Sequence, residues 1–309
     1  MIHPDKQPTF MYFLVIIFAL TLTSWIINNR IFQTHLCISS TPAIFKNGFS
    51  EATFKSADQM SAKEIFRYLH WTNSTSCLFA VDFGFNIVMG DPITAPDGHK
   101  AVCLDPFVSP EFDDCLVYSF GINNQWSFDE AMAQYGCHVF AFDPSMGVGD
   151  HDRSPYIHFY KLGLAGNKDL QPSGGWNIST ASSIYQMLTR RHGDKVIDVI
   201  KMDVEFAEWE VIPHMLRSGF LADKVKQLAV EIHFKQDDPL ELFQSRIGVL
   251  QELESTSSFS NKNQSGKFVR FSSRPNLWLK RPISILGGQE EFIGLELAWY
   301  NSRFYEIAD

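Results

Sequence analysis

The stretch "CLVYSFGINNQWSFDE", residues 115–130, opens as an apolar strand, stops at a single glycine and continues as a helix. A strand, a glycine and a helix in that order make the ligand-holding turn of an α/β unit, at the carboxyl end of a sheet strand. A dinucleotide pyrophosphate needs further glycines, so that successive amides converge on it and the helix start comes close. Here the loop reads Ile122-Asn123-Asn124-Gln125-Trp126, and the helix opens with Asp129 and Glu130. Two carboxylates at a helix start repel a diphosphate; they tolerate a ligand with a cationic sulfonium and an amino-acid end.

Working outward, "CHVFAFDPS", residues 137–145, ends in Asp143, 22 residues past Gly121. That is close to the roughly 20-residue spacing at which an acid accepts ribose hydroxyls. A turn residue before Pro144 is the plainer role for it. In "IDVIKMDVEFAEWEVI", residues 197–212, a buried strand delivers Asp203 to the same edge, while Glu205 and Glu208 suit the start of the following helix. In "VEIHF", residues 230–234, period-two alternation turns Glu231 and His233 to one side. The candidate cofactor-binding residues are therefore Ser119, Gly121, Asn123, Asp143, Pro144 and Asp203. The candidate catalytic set is Asp203, His233 and Glu231, as base and orienting groups. The same three can hold a divalent ion, but hard cations ask for more oxygen ligands, so no metal is expected.

Continuous apolar runs at 115–120, 139–142, 157–160, 196–202 and 227–234 alternate with helical stretches, the pattern of a parallel sheet covered on both faces. Ser127 and Glu130 have the spacing of a capping box, with Gly136 as the stop. Ser179 or Thr180 caps a helix running to Gly193, and the helix after Asp203 runs to Gly219 with Pro213 inside it. Leu240, Phe243, Ile247, Leu250 and Leu253 form a helical stripe that reads as core. The stretches "GKFVRFSS" and "EEFIGLELAWYN" supply two closing strands in hairpin order.

The chain has 309 residues, 45% of them hydrophobic, enough for one large domain plus appendages. A net charge of −9 argues against nucleic acid as the partner. Phe10 to Ile27 is an uncharged apolar run of 18 residues with no small-residue cleavage pattern after it, which predicts a retained transmembrane anchor. The expected organisation is a short cytoplasmic tail (1–9), an anchor (10–27), a stem without sustained period (28–75) and a catalytic domain (76–309). Sequons at Asn73, Asn177 and Asn263 place that domain in the ER or Golgi lumen, as a single-pass type II glycoprotein. Five cysteines show no metal spacing; Cys103 pairs with Cys77 or Cys115, or Cys115 and Cys137 are buried thiols.

The three quoted blocks, in this order, resemble the S-adenosylmethionine-dependent methyltransferases, and among them the FkbM-like and methyltransferase-like protein 24 group, over residues 100–300. The resemblance implies an α/β fold, a Rossmann-like seven-strand sheet with helices on both faces. It also implies S-adenosyl-L-methionine as cofactor, with contacts at Gly121, Asp143 and Asp203. The group usually has glycine where this chain has Phe206, a departure that crowds the edge near Asp203. The function expected is methyl transfer to a hydroxyl or carboxyl oxygen of a small-molecule, glycan or protein acceptor, with membrane attachment through the N-terminal helix. A binding or scaffold protein that keeps the fold without turnover is the alternative. An NAD-dependent oxidoreductase is disfavoured by the missing glycines.

Overall fold

The computed structural model describes residues 54–90, 93–167, 175–255 and 268–305. The expected anchor, tail and most of the stem lie outside them, as does Asn263. No helix among the described residues is long and apolar enough to cross a membrane.

The central sheet has eight strands: β1 (Leu116–Phe120), β2 (His138–Phe142), β3 (His151–Asp152), β4 (Ile157–Tyr160), β5 (Ile197–Met202), β6 (Val225–His233), β7 (Phe268–Pro275) and β8 (Gly294–Asn301). Their order is β7-β8-β6-β5-β1-β2-β4-β3. The sequence predicts seven; the eighth is the two-residue edge β3, antiparallel to β4 and too short to leave an apolar pattern. Strands β4, β2, β1, β5 and β6 run parallel, and β8 lies antiparallel between β6 and β7. The chain builds outward from β1 through β2 to β4 on one side, then crosses to β5 on the other side of β1. That reversal puts the switch in strand order between β1 and β5, where ligands of such sheets bind.

Every residue of β1 and β5 is buried, which is why both read as mainly apolar runs, with Ser119 in β1 and Asp198 and Lys201 in β5 buried among them. Leu116, Tyr118 and Phe120 pack on one face and Val117 on the other. The helices are α1 (Ala62–His70), α2 (Ser127–Gln134), α3 (Ala181–His192), α4 (Glu208–Arg217), α5 (Phe220–Lys224) and α6 (Leu240–Leu253). Phe128 and Met132 of α2 cover the Val117 face, and α3, α4 and α6 cover the other. The α6 stripe is core as read: Phe243, Ile247, Leu250 and Leu253 are fully buried. Thr180 caps α3 by accepting the Ser183 amide at 3.3 Å.

Three expectations need correcting. The stem is not structureless up to residue 75: α1 carries a formed capping box, Ser61 with Glu64, and buries Ile65, Phe66 and Leu69. The Arg270 guanidinium ties α1 to β7, donating to the Tyr68 and Trp71 carbonyls at 2.9 and 3.3 Å and to Glu254 at 2.7 Å. The capping box at Ser127 does not form, because α2 begins at Ser127 itself, after Trp126, and Glu130 instead accepts Arg153 at 2.6 Å. Cys115 and Cys137 are not thiols: they are bonded to each other, and Cys103 to Cys77. Cys115 begins β1 and Cys137 precedes β2, so neighbouring strands bring them within 4.4 Å, Cα to Cα.

Candidate active site

The register of the sheet assembles the site. Phe142, Phe120, Met202 and Val230 are paired across β2, β1, β5 and β6. The next residue on each strand is Asp143, Gly121, Asp203 and Glu231, so four of the candidate residues form one row along the carboxyl edge. The row is stitched by backbone bonds, Gly121 N–H to Phe142 O at 2.9 Å and Asp203 N–H to Phe120 O at 3.1 Å. All four line a cavity of about 770 Å³, together with Asn123, Pro144 and His233. Ser119 does not: it is fully buried one residue inside the strand, on the α2 side, and is not among the cavity's lining residues.

Gly121 has φ +79°, and a Cβ there would lie 1.7 Å from the Asp203 carbonyl oxygen. The glycine is thus required by the close approach of the β1 and β5 ends, not by a ligand. Behind it, Lys201 is buried and donates to the Phe120 carbonyl at 3.1 Å and to the Gly121 carbonyl. The amides of the next two residues are both engaged within the protein. Ile122 and Asn123 N–H both donate to Asp143 Oδ2, at 2.9 and 2.8 Å. Oδ1 accepts the Ser145 amide at 2.8 Å and its hydroxyl at 2.6 Å. A carboxylate has about four acceptor positions, so a ribose hydroxyl reaches Asp143 only where the Ser145 hydroxyl turns aside.

On the other side, His233 Nδ1 lies 3.0 Å from Glu208 Oε1 and Nε2 lies 3.5 Å from Glu231 Oε1. Burial would favour the neutral ring, but the two carboxylates outweigh it and push the imidazole up to about 11. It is a cation at neutral pH, with no lone pair to accept a proton. The Glu231 carboxyl, raised by burial, is brought below its ordinary value by His233 and by Lys100, 3.7 Å away. Asn276 donates to it at 2.6 Å. Glu231 faces Glu296 across β6 and β8, and Lys100 reaches Glu296 at 2.7 Å. Burial raises the Glu296 carboxyl to about 8.

Asp203 is raised by burial and by the Glu231 charge, against Lys201, Lys100 and His233. Asp203, Glu231 and His233 offer atoms within 4.8 Å of one another, as a metal triad would. His233, however, is already engaged by two carboxylates. Phe206 does not crowd the cavity: its ring packs 5.6 Å from the His233 ring and is not among the lining residues. It holds φ +76°, the left-handed conformation glycine adopts without strain. Sequence reading missed Gln125, in the loop after Gly121 itself, and Asp97, Trp176, Asn276 and Trp278, which line the cavity from segments remote in the chain.

Among the described residues the cavity therefore offers carboxylates and aromatic rings, with no lining Lys or Arg, and the Ile122 and Asn123 amides are engaged by Asp143. A family model described as a methyltransferase domain matches residues 52–285. Probable methyltransferase-like protein 24 of Homo sapiens is 28% identical over 142 residues, covering 44% of this chain and 38% of that protein. The same-named protein of Rattus norvegicus is 25% identical over 252 residues, 78% of this chain and 66% of that protein. The chain thus spans less than two thirds of either relative's length. Of solved structures, an SAM-dependent methyltransferase from Agrobacterium tumefaciens aligns at TM-score 0.32 and 13% identity, over 60% of this chain and 56% of that one. With three quarters of its length matched by that model, the chain belongs to the methyltransferase domain family.

Proposed function

We propose that the protein is an S-adenosylmethionine-dependent methyltransferase acting on a hydroxyl oxygen. The observation that carries this reading is the use of the Ile122 and Asn123 amides by Asp143, which leaves no cradle for a pyrophosphate and favours a donor without phosphates. The residues present fit that donor. Asp143 and Asn123 would hold its ribose side, and the row of carboxylates suits a sulfonium and an ammonium. Bound there, S-adenosylmethionine supplies an electrophilic methyl carbon whose bond electrons leave with sulfur as a neutral thioether.

The chain's own work is to orient the acceptor and take its proton. Asp203, raised and beside the switch point, is the base: the acceptor O–H proton passes to its carboxylate as the oxygen–methyl bond forms. His233 is a fixed cation that steadies Glu231 and balances the charge around Asp203. A carboxyl acceptor is disfavoured in a cavity lined by six carboxylates.

Two disulfides and an exposed Asn177 support a body that matures in an oxidising lumen. Attachment through Phe10 to Ile27 completes that proposal. The second reading, a binding protein that keeps the fold without turnover, is favoured by the protonated His233, which removes one of the two expected bases. Labelled-methyl transfer to a secretory extract separates the two. Asp203→Asn abolishes transfer while leaving donor affinity within a few-fold; full turnover in both Asp203→Asn and His233→Ala sinks the assignment of roles.

A further inference from the structure

The cavity is charged unevenly. Among the described residues six carboxylates line it, those of Asp97, Asp143, Asp203, Glu205, Glu210 and Glu231, and no lysine or arginine does. The one lining cation among the described residues, His233, is matched by Glu208 and Glu231. The two lysines behind its floor are likewise engaged, Lys100 with Glu296 and Lys201 with backbone carbonyls. Asp97 and Glu210 form no ion pair among the described residues, and the Glu205 side chain is 77% exposed, 3.8 Å from His233. Asp97 accepts the Gln125 side-chain amide at 3.4 Å, beside the loop that Asp143 holds, and Glu205 lies by His233. Asp97 enters from a two-stranded ribbon, Asn86–Met89 with Thr94–Asp97, and Glu205 and Glu210 flank the start of α4. Two indoles, Trp176 and Trp278, line the same space, Trp176 half exposed to solvent.

Carboxylates focus a negative field in a cleft with low-dielectric walls, and aromatic rings attract cations. A donor with a sulfonium, an ammonium and a carboxylate cancels only one of those charges. From this, and resting on the methyl-transfer reading, we propose that the acceptor is a cationic molecule. Its ammonium or guanidinium group is held between Asp97, Glu205 and the two tryptophans, and phosphorylated, sulfated and carboxylated acceptors are rejected. The hydroxyl that receives the methyl belongs to that cation-bearing molecule.

The test uses the full chain at fixed ionic strength, followed by tryptophan fluorescence and calorimetry. The protein is titrated with tri-lysine or tri-glutamate peptide, with and without saturating S-adenosylhomocysteine. Tri-lysine is expected to bind saturably, at least tenfold more weakly in Asp97→Asn/Glu205→Gln, and unchanged in Glu241→Gln, an exposed acid on α6. Tri-glutamate is expected not to bind. If the double variant melts early, the single variants take its place. Equal binding of tri-glutamate, or tri-lysine affinity indifferent to Asp97 and Glu205, overturns the proposal. Lysine binding that needs those acids in a protein that ignores S-adenosylhomocysteine keeps the cation site and fails the donor reading. The reverse pattern fails the cation site alone.

Discussion

The Asp143 carboxylate at the end of β2 accepts the Asn123 amide at 2.8 Å, tying the loop after β1 to its neighbouring strand. The same oxygen takes the Ile122 amide, so one side chain sets the shape of the loop on which the donor is proposed to rest. In Asp143→Asn an amide nitrogen replaces one acceptor and faces N–H groups. Stability is expected to fall by about 1–3 kcal/mol, and donor affinity at least tenfold; denaturant unfolding and calorimetry read the two. Affinity unchanged in a destabilised protein would show that the loop's shape is irrelevant to binding.

Gly121→Ala is expected to be worse than Asp143→Asn. Its methyl would meet the Asp203 carbonyl at 1.7 Å, from a backbone at φ +79°. Left-handed strain alone costs about 1–2 kcal/mol, and β1 and β5 must also separate. Low soluble yield or a melting temperature lowered by roughly 10 °C is the expected result. An unshifted melt contradicts the stated packing.

The raised His233 makes a pH prediction whose sign is definite. Its folded value is about 11 against an ordinary 6.5, so folding takes up a proton between those limits. The stability it contributes is complete below about pH 6.5 and is lost as pH rises toward 11, by up to about 1.4 kcal/mol per pH unit. His233→Gln removes that slope. Urea unfolding at pH 7, 8 and 9 should show the variant losing stability less steeply than the parent; parallel curves would mean that His233 is neutral in the fold.

Two disulfides close loops of 22 and 26 residues in sequence separation. Each is expected to stabilise the fold by about 3 kcal/mol. Reduction, or a Cys115→Ala/Cys137→Ala double variant, should lower the unfolding midpoint accordingly, and non-reducing peptide mapping should recover Cys77 with Cys103 and Cys115 with Cys137.

The strands were legible because a strand covered on both faces can carry little except apolar side chains, and the register then follows from where those runs end. Phe120, Phe142 and Met202 close three such runs, and the acids after them fall in line without further information. Helix α1 was missed despite a visible signal, Ser61 with Glu64 ahead of Ile65, Phe66 and Leu69, because its surroundings lack any period. Lys100, Lys201 and Glu296 were missed for another reason. A charge inside an apolar run states that it is buried, but its partner sits on a strand up to 196 residues away. Glu208 looked like a helix-start acid, and only the fold brings it to His233, which reverses that ring's expected role. The acceptor-side residues Trp176 and the Asn276–Trp278 pair come from two segments a hundred residues apart with no shared motif, so no spacing could have grouped them.

The central claim is a cavity suited to a sulfonium donor and closed to a diphosphate. Calorimetric titration of the folded full chain with S-adenosylmethionine and, in parallel, with NAD tests it most directly. Saturable one-to-one binding of S-adenosylmethionine with no heat from NAD is the result predicted; binding of NAD, or silence toward S-adenosylmethionine in protein that melts cooperatively, would contradict it.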